Sequence, residues 1–313
     1  MQRGDQGPKV QALQQALLSH GYRLPRFGAD GDFGGETVRA VLDLAKDAKV
    51  IWPQYSDVPE TLLDELGIGE VDDIEDEPCV GPSSDIDLEG VTLYDLRDRQ
   101  VEPHPKGRAN QKTGRTVRRL PSAITGVTLH QMGVPFGVAD GWDDDFETYE
   151  EALAQRGLGI ACHAAVFRPG FLVLPADPLA YIKHANALNP STFGLEVDGL
   201  YPGLIGRRTL KGKPPNDVTD ELVHGARMGL KLLVHLGRTR GCPIEFVWGH
   251  RQADSWRQAD PGEELWRKVV VEYAVPVLGL KTRTGDAFAH YKGPRRRGLP
   301  IPVSWDPNGV GSY

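Results

Sequence analysis

The sequence predicts an α/β fold, a mixed β-sheet flanked by helices, preceded by a small all-α segment. Three observations carry that expectation. Four short runs rich in branched and aromatic residues, AITGVTLHQM, IACHAAVF, FGLEVDG and IEFVWGH, read as strands. One long stretch, VTDELVHGARMGLKLLVHLG, sets Leu222, Ala226, Leu230, Leu233 and Leu236 on or near one helical face. Strands interleaved with helices indicate an α/β or mixed-sheet domain, whereas the first 52 residues carry only the helical period.

In chain order, residues 1–52 hold two amphipathic helices. Val10, Leu13 and Leu17 recur at helical spacing with Leu18 widening the stripe, and Gly21 supplies a stop. Val38, Val41, Leu42 and Ala45 repeat the spacing after Thr37. Between them lies YRLPRFGADGDFGGET, whose Asp30-Gly31-Asp32 suggests a calcium loop; an EF-hand would need a glutamate at its twelfth position, where Val41 stands. A glycine-rich turn is the expectation. Residues 53–90 read as an acidic, extended spacer, 91–276 as the domain that does chemistry, and 277–313 as a basic tail rich in Pro and Gly with no assigned role.

Composition narrows the function classes. At 313 residues, with 40% hydrophobic and 25% charged, the chain can bury a core in about two domains. No run approaches the roughly 18 apolar residues of a membrane span, so stable membrane insertion is not expected. The N-terminus lacks the apolar core of a secretory signal, so synthesis in the cytoplasm is expected. Cys79, Cys162 and Cys242 form no C-x-x-C pair and are expected to be reduced thiols. The net charge of -7 hides a division: residues 57–89 hold 13 acidic and no basic residues, while the rest carries 36 basic against 30 acidic. Without a broad basic face on the central domain, no nucleic-acid partner is expected. A monomer is the expectation.

Of nine histidines, His130, His163, His184 and His250 fall at or near the ends of expected strands, where loops gather and sites are built. Two neutral imidazoles and one carboxylate make a tetrahedral zinc set with an open fourth position. His130 ends GVTLH and His250 ends FVWGH, and Asp260 follows ten residues later before Pro261-Gly262. From spacing alone this competes with ordinary hydrogen-bonded strand-end histidines. Neither an H-E-x-x-H helix nor a G-x-S-x-G elbow is present.

Two resemblances sharpen the reading. GDQGPKVQALQQALLSHGY followed by GADGDFGGETVRAVLDL resembles the type 1 peptidoglycan-binding domain family, which implies a small helical module that adheres to cell-wall polymer. The order TLHQM, ACHAAVFRPG, HANALNPSTFGLEVDG, GHRQADSWRQADPGEELW, from about Thr125 to Trp266, resembles the zinc-dependent type 2 N-acetylmuramoyl-L-alanine amidases. That family is shared by phage endolysins, bacterial recycling amidases and animal peptidoglycan recognition proteins.

The resemblance implies that His130, His250 and Asp260 hold Zn2+ and that Glu196 is the catalytic proton carrier. It assigns His184 and Asn186 to the cleft that receives sugar or stem peptide, and His163 to a supporting or core position. Many relatives place a lysine two residues before the last ligand; here that position is Gln258, with Arg257 one step away, and both are expected to face substrate. Where several relatives have tyrosine this chain has Cys162, and a Cys162–His163 nucleophile pair is disfavoured because strand neighbours point to opposite faces. The basic stretch GRRTLKGKPP is either a solvated loop or an attractor for stem-peptide carboxylates.

Bacterial cell-wall peptidoglycan is thus the expected substrate, reached after release through a holin-type pore or delivery by an injection system. Two rivals stand beside this amidase expectation: a recognition protein that binds muropeptide without cutting, and a zinc endopeptidase of the stem peptide.

Overall fold

The computed structural model describes residues 1–48, 50, 52, 57–59, 62, 86–110, 113–133, 148–203, 215–283 and 298–311. Most of the acidic spacer, the basic stretch 206–215 except its last residue, Cys79, and the basic part of the tail from 284 to 297 lie outside them.

Helices α1 (Pro8–Ser19) and α2 (Gly35–Asp47) pack Val10, Leu13 and Leu17 against Val38, Val41 and Leu44 around the buried Phe33. Pro8 suits the first turn of α1, where an amide hydrogen would lack a helical partner anyway. Leu18 and Leu42, read as part of the stripes, are exposed. The same core takes in Trp52, Val58 and Leu62, so the module's apolar packing continues past residue 52.

The larger part is built on six strands, β1 (Leu93–Asp95), β2 (Gly126–Gln131), β3 (Ala164–Val166), β4 (Leu172–Leu174), β5 (Thr192–Val197) and β6 (Phe246–Gly249). Their order across the sheet is β1-β4-β3-β5-β2-β6, parallel throughout except for the β3–β4 pair. Helix α3 (Tyr149–Gly157) is capped by Thr148 and α4 (Asp220–Thr239) by Thr219, each hydroxyl accepting an amide hydrogen three residues on. This is the mixed sheet with flanking helices that the periodicities indicate.

Alternation along the strands sends successive side chains to opposite faces. Val127, Leu129, Phe193, Leu195 and Val197 join the main core with α4. On the opposite face Ala165 and Val173 pack with Leu153 and Ala154 of α3. Helix α5 (Glu263–Trp266) continues into a wider helical stretch, Arg267–Ala274. Ile301 and the fully buried Trp305 pack into the main core, so part of the expected tail belongs to the domain. Among the described residues no helix is long and apolar enough to cross a membrane.

Candidate metal centre

Strand register assembles the centre. With Leu129 and Leu195 committed to the α4 side, His130 and Glu196 project from the other face, and they are Cα partners across β2 and β5. β6 runs beside β2 with Gly249 opposite Leu129, so the next residue, His250, emerges next to His130. The chain then turns through Ala253, Arg257 and Asp260, each amide donating to a carbonyl three residues back. Arg251 N–H donates to the Asp260 carbonyl at 3.1 Å, tying the loop's ends together. The ten-residue interval therefore returns Asp260 to the histidine it left.

One ligand atom from each of His130, His250 and Asp260 lies within 4.8 Å of the others, and all three residues are buried. Nδ1 of His250 is 2.9 Å from Nδ1 of His130 and 3.0 Å from Oδ2 of Asp260. Glu196 Oε1 stands 3.8 Å from His130 Nδ1. The other oxygen of Asp260 accepts the Gln131 amide hydrogen at 3.0 Å, which leaves Oδ2 for the centre.

A histidine chain fixes the tautomer of His130. Nε2 of His184 lies 3.1 Å from the Thr192 carbonyl oxygen, which only accepts, so that nitrogen carries the hydrogen and Nδ1 of His184 is an acceptor. His130 Nε2, 3.1 Å from it, must then donate. The bare lone pair of neutral His130 consequently sits on Nδ1 and faces His250 and Asp260. Donating the remote ring N–H to a fixed partner is how metal-bound histidines are usually oriented.

The electrostatics agree with that state. Burial holds His130 well below the ordinary histidine range, and His250, His184 and Arg257 push the same way. Burial also lowers His184, to about 3. Glu196 is pushed up by burial and then by Asp260, while Arg257 pulls it down. Oε2 of Glu196 and Nε2 of His250 are buried without a hydrogen-bond partner among the described residues. Two imidazoles, one carboxylate and orphaned polar atoms beside them form the kind of donor set that holds a zinc ion with a position left open.

The expected residues divide by depth. His130, His250, Asp260 and Glu196 come together, whereas His184 is buried behind His130 and packs edge-on to its ring at 5.3 Å. Gly194 makes room for it, since a Cβ there would meet His184 Cγ at 2.8 Å. Asn186 is exposed and donates to Asp254 Oδ2 at 2.8 Å, joining its loop to the metal loop. Arg257 and Gln258 are exposed. Cys162 and His163 precede β3; Cys162 is buried in the α3 cluster with its thiol pushed up by burial, while His163 Nδ1 accepts the Gly194 amide hydrogen.

Two supports were not anticipated. Gln131 donates to the carbonyls of Tyr201 and Ala259 and accepts from the Tyr201 amide, holding the residue before Asp260. The fully buried Arg119 donates to the carbonyls of Asn189, Thr192 and Pro178, pinning the His184 loop to the sheet. The one local signal for Gln131 was its place directly after His130; Arg119 offered none in VRRL.

No protein-family model matches the chain. Two curated Bacillus licheniformis proteins, a probable N-acetylmuramoyl-L-alanine amidase and the N-acetylmuramoyl-L-alanine amidase CwlL, are each 44% identical over 50 residues. That stretch is 16% of this chain and spans only 14% of either relative. Among solved structures, a Drosophila PGRP-LB point mutant in complex with tracheal cytotoxin aligns over 60% of this chain and 96% of its own, at 15% identity and a TM-score of 0.35. Drosophila PGRP-SD aligns over 55% and 89%, at 18% identity and a TM-score of 0.34.

Proposed function

We propose that the chain is a zinc-dependent N-acetylmuramoyl-L-alanine amidase, cutting the amide between N-acetylmuramic acid and L-alanine in peptidoglycan, with its N-terminal module holding it to the wall. The observation that carries this is the buried His130–His250–Asp260 set with Glu196 as the cross-strand neighbour of His130. The short matches to two amidases and the resemblance of residues 1–52 to a wall-binding module favour the same substrate.

His130, His250 and Asp260 would hold the zinc, which when bound supplies Lewis acidity and makes a water more acidic. Glu196 does the proton work: its carboxylate takes the proton of the attacking water and returns it to the departing L-alanine nitrogen. A carboxyl pushed upward by burial suits a group that must both accept and release a proton near neutrality. The His184–Thr192 chain keeps Nδ1 of His130 free, and Arg257 adds positive potential at the mouth.

The test is digestion of purified cell wall with mass spectrometry of the products. Free stem peptides beginning with L-alanine and peptide-free glycan strands are expected, and Glu196→Gln should retain zinc while losing turnover at least a hundredfold, on the scale of general acid–base catalysis. Cleaved stem peptides still attached to glycan would establish the endopeptidase instead. Intact wall after binding would establish a recognition protein.

A further inference from the structure

The N-terminal module is seated on the larger domain. Arg108 bridges to Asp30 at 3.1 Å and also pairs with Asp32, so the two carboxylates of the DGD turn share a cation from the other part of the chain. Gln11 donates to Ala29 within the module at 2.8 Å and accepts the Leu120 amide hydrogen, also at 2.8 Å. Asp30 and Gln11 are buried, which makes these contacts a built interface. Charge-assisted pairing of a partly buried guanidinium is stronger and more geometrically selective than surface pairing.

The seating creates a cleft of about 430 Å³ between Leu18 and Phe27 of the module and Tyr181, Asn186 and Ala187 of the loop that holds His184. A second hollow of about 280 Å³ shares Phe27, Gly28 and Tyr181 with it but is lined by charged groups, Asp30, Asp32, Glu36, Arg108 and Lys183. The first cleft reaches the loop between His250 and Asp260: Asn186 lines it and donates to Asp254, four residues past His250.

We propose that the first cleft binds the glycan strand of peptidoglycan next to the scissile bond, an inference that rests on the amidase reading for its substrate. The first hollow is lined by one cation, Arg26, and no acid, with amide and hydroxyl groups from Gln15, Asn186 and Ser191. Arg26 lies over the Phe27 ring at 4.8 Å, and that ring is 47% exposed. A half-exposed aromatic ring, covered by Arg26 on one face, beside neutral hydrogen-bonding groups matches N-acetylated sugars, which present C–H faces and hydroxyl and amide edges. A stem peptide, with its carboxylates, would call for more cations than this hollow offers. Strand binding here holds the wall polymer to both parts of the chain at once, raising the effective concentration of the next scissile bond.

Calorimetric titration of the full chain with peptide-free glycan strands, and separately with free stem peptides, tests the assignment. Phe27→Ala removes the ring and Ala187→Trp fills the cleft; each should weaken glycan binding at least tenfold with the thermal unfolding midpoint unchanged. Arg108→Ala, which unseats the module, should weaken it similarly. Glycan binding equal to that of the unaltered chain in both cleft variants, or no glycan binding at all, would overturn the proposal, and so would stem-peptide binding that the cleft variants abolish. Because no turnover is read, an inactive chain would sink the amidase reading and leave this test standing.

Discussion

Replacing His184 with phenylalanine keeps an aromatic ring over Gly194 but removes the acceptor that His130 Nε2–H uses at 3.1 Å. A buried donor left without a partner costs about 1–3 kcal/mol, and His130 is buried. The variant can escape part of that cost by moving the hydrogen to Nδ1, which disables the lone pair facing His250 and Asp260. Either route opposes metal uptake, and losing such a supporting partner typically weakens metal affinity about 10–100-fold. Competition with a chromophoric zinc chelator measures it directly. His184→Phe should lose about 10–100-fold in zinc affinity, while His184→Gln, which can accept from His130 and donate to the Thr192 carbonyl, should recover most of the loss. Zinc affinity within twofold of the unaltered protein in His184→Phe would refute the argument, because Nδ1 of His130 would then need no help to face the metal.

Arg119→Met keeps similar bulk but removes the guanidinium hydrogen bonds to three carbonyls, those of Asn189, Thr192 and Pro178, of which that of Thr192 keeps His184 as a donor. Relief from burying a cation offsets part of the loss, leaving about 3–5 kcal/mol of destabilisation in urea unfolding; a change under about 1 kcal/mol would show that the loop does not depend on this residue. Acid should also destabilise the metal-free protein. Burial lowers His130, His163 and His184, so the folded chain keeps them neutral while the unfolded chain protonates them below about pH 6.5. Their contribution is full above that pH and is lost as pH falls, toward about 3 for His184. Glu196, raised by burial, works the other way down to its ordinary range. The net slope from these four groups, three histidines less one glutamate, is then about 2.5 kcal/mol per pH unit between about pH 6 and 5. His163→Gln should flatten it by about 1.4 kcal/mol per unit in chelator-treated samples; an unchanged slope would mean that His163 is protonated in the folded chain.

The sequence displayed the elements whose period is long or whose composition is one-sided. α4 shows itself because its apolar positions follow the helical period across its whole length. β2 is buried at all six positions, so apolar–polar alternation could not reveal which way His130 points. That direction comes from pairing with β5, a contact 66 residues away, through the His130–Glu196 register. His184 is assigned to the substrate cleft by the resemblance of its loop alone, and its burial behind His130, held by the Thr192 carbonyl and the space at Gly194, has no local signal. Arg119 sits in an ordinary basic run and is buried only because the His184 loop closes over it. Trp305 was passed over because its segment packs through isolated apolar anchors rather than a repeating face.

The same reasoning separates the two neighbours in the metal loop. Gln258 stands where many resembling amidases keep a lysine, but its side chain is neutral, and its carbonyl accepts from Arg251. Arg257 is the residue whose charge reaches the centre: it opposes protonation of His130 and favours the ionised form of Glu196. Both effects have the sign that the proposed amidase reading needs, with His130 neutral and Glu196 able to accept a proton. The loop closes through Arg251 N–H to the Asp260 carbonyl, which sets the Arg257 side of the turn relative to Asp260. A cation placed one residue earlier therefore acts on both groups, and the neutral side chain at 258 does not strip the loop of its positive charge.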